Sequence, residues 1–292
     1  MNALTEAEVL ITDLDNTIAP FVAGCLAPAV TYAAGSLARR FYLGNLSFDE
    51  VVRLLTRTMR SYGHDNPWLL ELSEFRALSG RSDAEFINEV VRPFWNAWDE
   101  AVFDCYRPYP GVIRTFEELH RRGKRIYVLS NGCDLNVVQR IVASGLAPYL
   151  SGLVAIRTRA PEGMNPTFVT ERRARILARC PSSLAMVALE SVAAKPNAAG
   201  ILTVLDMAAI DPEDAVYAGD LLALDGVAAA GAGVPFAHIQ HGAILTSHHW
   251  DAVYAGAPLE EPPASFSNSV PVPVPVPVRL EALCYEELLS LF

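Results

Sequence analysis

The chain has 292 residues, and 33 acidic against 23 basic side chains give it a formal net charge of −10. Apolar residues make up 51% and charged residues 19%, which excludes a disordered chain and supplies a sizeable core. There is no apolar run of about 18 residues and no basic secretory start, so we expect a cytoplasmic protein without a membrane partner. The acidic balance argues against a nucleic acid polymer and favours small-molecule partners.

Short apolar runs of the length of buried parallel strands recur along the chain. They cover residues 8–13, 125–129, 153–156, 184–189, 215–218 and 236–239. Helix-length segments separate most of them. This alternation predicts an α/β fold whose core is a doubly wound, Rossmann-like parallel sheet.

Residues 21–106 interrupt the alternation, because they contain apolar residues at helical spacing and no convincing strand. Ser47 and Ser82 are typical helix N-caps. A cluster formed by Phe94, Trp95 and Trp98 favours a core position over stacking on a base. We therefore predict an all-helical domain over residues 21–106, inserted into a core formed by residues 1–20 and 107–292.

Three later segments are less regular. Residues 157–183 predict a loop and then a helix, inserted on the core, whose arginines 172, 173, 175 and 179 favour a solvated face over phosphate contact. Residues 258–278 are rich in proline, and the alternation of valine and proline over 270–278 favours an extended structural strap over a partner-binding motif. Residues 280–292 predict a closing helix.

Polar side chains follow four of the predicted strands or the loops after them. They form four motifs: Asp13-Leu14-Asp15-Asn16-Thr17, Ser130-Asn131-Gly132, Lys195-Pro196, and Gly219-Asp220 with Asp225. Ligands of open α/β sheets bind at the carboxyl ends of the strands. At these strand ends, carboxylates suit Mg²⁺, and hydroxyl and backbone N–H groups can hold phosphate oxygens. A lysine in the same place can neutralise a bound anion. Each motif alone is also typical of an ordinary turn or a solvated surface.

In their order and spacing the four motifs resemble those of the haloacid dehalogenase superfamily. The resemblance covers residues 6–20 and 107–245, and many members carry a helical cap between the first two motifs, as expected here for residues 21–106. It implies that Asp13 is a nucleophile that takes a phosphoryl group as an aspartyl phosphate. It also implies that Asp15 protonates the leaving oxygen and then deprotonates the attacking water.

The resemblance also assigns ligands. The phosphate-binding residues would be Thr17, Ser130, Asn131 and Lys195. Mg²⁺ would bind Asp13, the Asp15 carbonyl and Asp220, with Asp225 as an outer or supporting ligand. The implied activity is magnesium-dependent hydrolysis of a small phosphomonoester.

Three other functions stay open. A phosphomutase or phosphotransferase uses much the same residues. A 2-haloacid dehalogenase is less favoured, because such members resemble this pattern but lack a carboxylate at the position of Asp15. A non-catalytic binding module has no physical need for the whole set of Asp13, Asp15, Ser130, Lys195 and Asp220.

A shorter resemblance concerns the substrate. The run from Asp13 to Pro20 and the later Arg60-Ser61-Tyr62-Gly63 are similar to the pyrimidine 5′-nucleotidase branch. This implies a nucleoside 5′-monophosphate, although Ala19 stands where that branch often has an aromatic residue. Phosphoglycolate, sugar phosphates and other small phosphomonoesters stay open, and no pattern indicates an oligomeric state.

Overall fold

A seven-stranded parallel sheet forms the centre of the molecule. The computed structural model describes residues 7–39, 46–180, 184–240, 279–282 and 285–292. The strands are β1 (Val9–Thr12), β2 (Arg125–Cys133), β3 (Gly152–Ile156), β4 (Ala185–Leu189), β5 (Ala215–Gly219), β6 (Phe236–Ile239) and β7 (Arg279–Ala282). Their order is β4-β3-β2-β1-β5-β6-β7, and every neighbouring pair is parallel. The predicted doubly wound α/β fold is confirmed.

Ten α-helices are assigned within the described residues. They are α1 (Ala27–Arg39), α2 (Phe48–Tyr62), α3 (Phe75–Ser79), α4 (Asp83–Phe86), α5 (Arg92–Cys105), α6 (Val112–Arg121), α7 (Asp134–Ser144), α8 (Thr167–Leu177), α9 (Ala199–Ala208) and α10 (Val227–Ala232). Single π-helical turns occupy Val22–Leu26, Ile87–Val91 and Leu222–Gly226. Short 3₁₀ segments lie at Ala147–Tyr149, Ser191–Ala193, Pro212–Asp214 and Tyr285–Leu291.

Both faces of the sheet are covered, because successive side chains of a strand point to opposite faces. In β1, Leu10 faces a core that includes apolar residues of α6, α7 and α8. Val9 and Ile11 face a second core with residues of α9 and α10. All three β1 residues are fully buried. The uninterrupted apolar run of β1 therefore reflects burial on both sides.

The inserted helical segment, residues 21–106, contains no strand among its described residues. Helix α1 packs against α2 and α5, and the predicted N-caps Ser47 and Ser82 both form capping boxes. Phe94, Trp95 and Trp98 are buried against one another, with ring centroids 5.1–5.9 Å apart, as the core interpretation predicted. The boundaries of a separate domain here stay a prediction.

Two sequence predictions about the sheet edges need correction. Strand β4 was predicted as buried, but it ends the strand order, and Met186 is 46% exposed. Instead of one closing helix over 280–292, the chain first forms β7 beside β6 and then the short 3₁₀ segment. Pairing with the free edge of β6 outweighs helix propensity there. The proline-rich residues 258–278 lie outside the described residues.

The predicted solvated face of α8 is wrong for Arg172, whose side chain is fully buried. Its guanidinium donates to both oxygens of Asp99 and to Asn136 and Gln139, and it lies 4.4 Å from the ring centroid of Trp95. We call Asp99, Asn136, Gln139 and Arg172 the Asp99 cluster. It joins the inserted helical segment to α7 and α8.

None of the described helices is long and apolar enough to cross a membrane.

Glu71 lies between α2 and α3, and replacing it with glutamine is expected to stabilise the protein at high pH. Burial raises its pKa from 4.5 to about 7, and its Oε2 has no hydrogen-bond partner among the described residues. Between those values the folded state binds more protons than the unfolded state, so the free energy of unfolding falls as pH rises. Glu71→Gln should raise that free energy by about 1 kcal/mol at pH 8 and by much less at pH 4.5, measured by urea denaturation. The exposed Glu100→Gln is the control, and an equal gain at both pH values would contradict the prediction.

Candidate active site

The predicted site residues meet at the carboxyl edge of the sheet, around a cavity of about 660 Å³. Strands β1 and β5 are neighbours there, which places Asp13 beside Asp220. Seven of the eight predicted residues line the cavity: Asp13, Asp15, Ser130, Asn131, Lys195, Asp220 and Asp225. The eighth, Thr17, is fully buried beside it.

The turn after β1 brings Thr17 back against two carboxylates. Asn16 has φ +63°, a left-handed conformation that asparagine tolerates better than most residues, and its side chain accepts a hydrogen bond from Phe21 N. Thr17 Oγ1 then lies 3.0 Å from Asp13 Oδ2 and 3.2 Å from Asp220 Oδ1. The hydroxyl therefore orients carboxylates, and its predicted phosphate contact stays a prediction.

Lys195 is fixed from both ends. Its N–H donates to Asn131 Oδ1 over 2.8 Å, and its carbonyl accepts from Asn131 Nδ2 over 3.0 Å. Its Nζ donates to Asp13 Oδ1 over 2.5 Å and to Asp225 Oδ1 over 2.7 Å, and it lies 3.0 Å from Tyr217 Oη. Asn131 thus holds the lysine backbone by its side chain, while the ammonium reaches the carboxylate of Asp13.

Asp225 holds the ammonium group of Lys195 and is itself held by two other hydrogen bonds. Its Oδ1 accepts from Tyr217 Oη over 2.7 Å as well as from Lys195, and its Oδ2 accepts from Leu221 N over 2.9 Å. A Cβ at Gly219 would lie 2.5 Å from Asp225 Cγ, so the close approach requires glycine at that position. The hydrogen bonds of Asp225 identify it mainly as the partner of the lysine.

The site carries more negative than positive charge. Carboxylate oxygens of Asp13, Asp220 and Asp225 lie within 4.8 Å of one another. The ammonium group of Lys195 is the one positive charge that contacts this cluster among the described residues. Burial raises the pKa of Asp13 to about 6 although Lys195 opposes it. Burial and the charges of Asp13 and Asp225 raise the pKa of Asp220 well above its ordinary value. Such a cluster of buried carboxylate oxygens suits a hard divalent cation.

Asp15 also lines the cavity, and its partners differ from those of Lys195. Its Oδ2 lies 3.0 Å from Arg140 Nη2, and its Oδ1 accepts from Tyr106 Oη over 3.1 Å. Burial raises the pKa of Asp15 to about 7 although Arg140 opposes it. A carboxyl group with this pKa can both give and take a proton near neutral pH.

Sequence reasoning missed three residues that contact the predicted ones. Tyr217 stands inside the apolar run of β5, and Arg140 inside the run Val137 to Val142 of α7. A polar group within such a run is a usable signal, because it needs a buried partner. Tyr106 carries no comparable signal.

Comparison with known proteins identifies the family of this chain. A family model described as haloacid dehalogenase-like hydrolase matches residues 7–233. The chain therefore belongs to the haloacid dehalogenase-like hydrolases and is an enzyme of that family.

The relatives described next are distant. A glyceraldehyde 3-phosphate phosphatase from Methanopyrus kandleri is 23% identical over 198 residues, which are 68% of this chain and 69% of the relative. A 2-haloacid dehalogenase structure from Pseudomonas syringae pv. Tomato DC3000 is 17% identical, with a TM-score of 0.52 and 97% of each chain covered. A structure assigned as a β-phosphoglucomutase from Thermotoga maritima is 14% identical, with a TM-score of 0.51 and 97% of each chain covered. The two structures share the fold.

Proposed function

We propose that this enzyme hydrolyses a small phosphomonoester with the help of Mg²⁺, through an aspartyl phosphate on Asp13. The contact of Lys195 Nζ with Asp13 Oδ1, at the end of β1 and on the wall of the cavity, carries the proposal. A fixed ammonium beside a carboxylate lets that carboxylate approach an anionic phosphoryl group, because the positive charge offsets the repulsion between them.

The reaction has two steps. Asp13 attacks phosphorus, the bond between phosphorus and the ester oxygen breaks, and Asp15 gives its proton to the departing oxygen. A water molecule then attacks the phosphorus of the aspartyl phosphate and gives its proton to Asp15. Inorganic phosphate leaves and the Asp13 carboxylate is restored.

Ser130 and Asn131 have positions that suit phosphoryl oxygens. Ser130 is buried, lines the cavity and accepts a hydrogen bond from Gly132 N over 3.1 Å, so its hydroxyl proton is available to an acceptor. The Asn131 side chain is used on the Lys195 backbone, which leaves its N–H as the phosphate contact. Lys195 neutralises the charge shared by Asp13 and the phosphoryl group.

The donor set fits Mg²⁺. Three buried carboxylates face one ammonium, and burial together with the charges of Asp13 and Asp225 raises the pKa of Asp220, an effect that a bound cation would offset. Asp13, Asp220 and the Asp15 carbonyl would hold the ion, with Asp225 as a supporting residue. When bound, Mg²⁺ supplies charge stabilisation to the phosphoryl oxygens.

The cavity volume supports a small-molecule substrate, since sites of this size hold single small ligands. Because the relative from Methanopyrus kandleri is named for glyceraldehyde 3-phosphate, we include triose phosphates among the candidate substrates. Tyr62 and Gly63, the end of the nucleotidase-like motif, line the same cavity. A nucleoside 5′-monophosphate therefore stays a prediction beside other phosphomonoesters.

The test is release of inorganic phosphate from a panel of triose phosphates, sugar phosphates, phosphoglycolate and nucleoside 5′-monophosphates. We expect activity with Mg²⁺ that chelation removes and added Mg²⁺ restores, because the carboxylate cluster is otherwise under-neutralised. Transfer of the phosphoryl group to a sugar hydroxyl, without release of phosphate, would contradict hydrolysis and establish a mutase. Chloride release from a 2-chloro acid would point to dehalogenation instead.

A further inference from the structure

The inserted helical segment contacts the carboxyl group of Asp15 directly. Tyr106, at the end of that segment, is fully buried and donates its hydroxyl to Asp15 Oδ1 over 3.1 Å. Arg140 of α7 holds the other oxygen at 3.0 Å. Two partners on two oxygens fix both the position and the rotation of the carboxyl group.

A second residue of the inserted segment holds Arg140. Asp65 Oδ1 accepts from Arg140 Nη1 over 3.0 Å. The Asp65 carbonyl accepts from Asn136 Nδ2 over 3.0 Å and is 3.0 Å from Cys133 Sγ. The Asp65 backbone is thus attached to the start of α7, and its side chain reaches the same arginine that contacts Asp15.

Gly132 packs closely against this ion pair. A Cβ at Gly132 would lie 2.5 Å from Arg140 Nη2 and 2.7 Å from Asp65 Oδ2. The Arg140 side chain is 2% exposed, and its guanidinium lies 5.1 Å from the ring centroid of Phe21. Arg140 is therefore packed between Gly132 and Phe21 while it holds both Asp15 and Asp65.

We propose that Asp65 and Tyr106 are positioning residues for Asp15, Tyr106 by direct contact and Asp65 through Arg140. The inference rests on the proposed function, in which Asp15 gives its proton to the leaving oxygen as the ester bond breaks. In this proposal the inserted segment lines part of the cavity and also positions the carboxyl group that donates the proton. Proton transfer depends steeply on this geometry, because small displacements of a catalytic group cost large factors in rate.

The test compares two aryl esters of similar shape. Phenyl phosphate needs protonation of its leaving oxygen far more than p-nitrophenyl phosphate does. The ratio kcat/KM reports the steps up to departure of the leaving group. Asp65→Ala and, separately, Tyr106→Phe should lower kcat/KM by about 10- to 100-fold for phenyl phosphate and by less than about 3-fold for p-nitrophenyl phosphate. Tyr106→Phe removes one hydroxyl only, so it keeps the test valid if Asp65→Ala folds poorly.

Asp99→Asn is the matched control. It alters the Asp99 cluster, which also joins the inserted segment to α7, but Asp99 does not contact Asp15 or Arg140 in the described hydrogen bonds and ion pairs. A structural effect should lower kcat/KM for both esters by the same factor. In an Asp15→Asn background, measured in single turnovers at high enzyme concentration, Asp65→Ala should cause no further loss on phenyl phosphate.

The outcomes separate the two proposals. A selective loss on phenyl phosphate that disappears in the Asp15→Asn background supports the inference. Equal losses on both esters, or unchanged kinetics, overturn the inference and leave the phosphatase proposal standing. Absence of phosphate release by the unmodified enzyme from every ester of the wider panel overturns both.

Discussion

Asp13→Asn is expected to abolish phosphate release, with kcat falling by about 10⁴-fold or more. The amide cannot form the acyl phosphate, so the path through a covalent intermediate is closed. Acid quenching during turnover of a ³²P-labelled substrate should leave label on the unmodified protein and none on the variant. Lys195 keeps Asp225 as a partner in the variant, so folding should be retained.

Asp206→Asn, on the exposed face of α9, is the control for the same change of charge and should keep full activity. Thermal denaturation of both variants should show that the folded state persists. Activity of Asp13→Asn above about one hundredth of the unmodified value would exclude Asp13 as the nucleophile, since loss of a nucleophile costs far more than that factor.

Lys195→Met is expected to be the most destabilising of the substitutions considered, by about 3–5 kcal/mol at pH 8, because it leaves buried carboxylates without their cation. Burial alone would lower the pKa of Lys195, but Asp13 and Asp225 raise it well above its ordinary value, which shows how strongly the carboxylates depend on it. In the variant the pKa of Asp13, which burial already raises to about 6, rises further above its value in the unfolded chain. The destabilisation should therefore be largest at pH 8 and shrink towards pH 5.

The chain offers a matched control, since its only other lysine is Lys124, which is not part of the site. Lys124→Met should change the free energy of unfolding by less than about 0.5 kcal/mol at either pH. Urea denaturation at pH 5 and pH 8 measures both. A Lys195→Met penalty that does not depend on pH would mean that lost packing, and not the uncompensated carboxylates, is responsible.

The sequence predicted the site because its residues follow strands. Asp13 and Asp220 are each the first acidic residue after an apolar run, and parallel strands bring such positions to one edge. Ser47 and Ser82 were predicted as N-caps in the same local way, and in the structure both form capping boxes. Where a few neighbouring residues determine the structure, the pattern was sufficient.

Contacts between distant segments were not predictable in this way. Asp65 and Arg140 are 75 positions apart, and Arg172 meets Asp99 from 73 positions away. The apolar run around Arg140 indicates a buried partner but does not identify Asp65, and each of the other charges read alone is typical of a solvated surface. Its burial depends on how the inserted segment packs on α7 and α8, which no local pattern encodes. The same reason explains β7, whose pairing depends on the free edge of β6.

The Asp99 cluster limits how far the inserted segment can be transplanted. A chimera that replaced residues 21–106 alone with the corresponding segment of a relative would remove Asp99 and Asp65 and leave Arg172 and Arg140 buried without those anionic partners. The smallest portable unit therefore includes α7 and α8 as well. We therefore expect recombination between members of the family to succeed when α7 and α8 are exchanged together with the inserted segment. These two helices belong to the α/β core and not to the insertion.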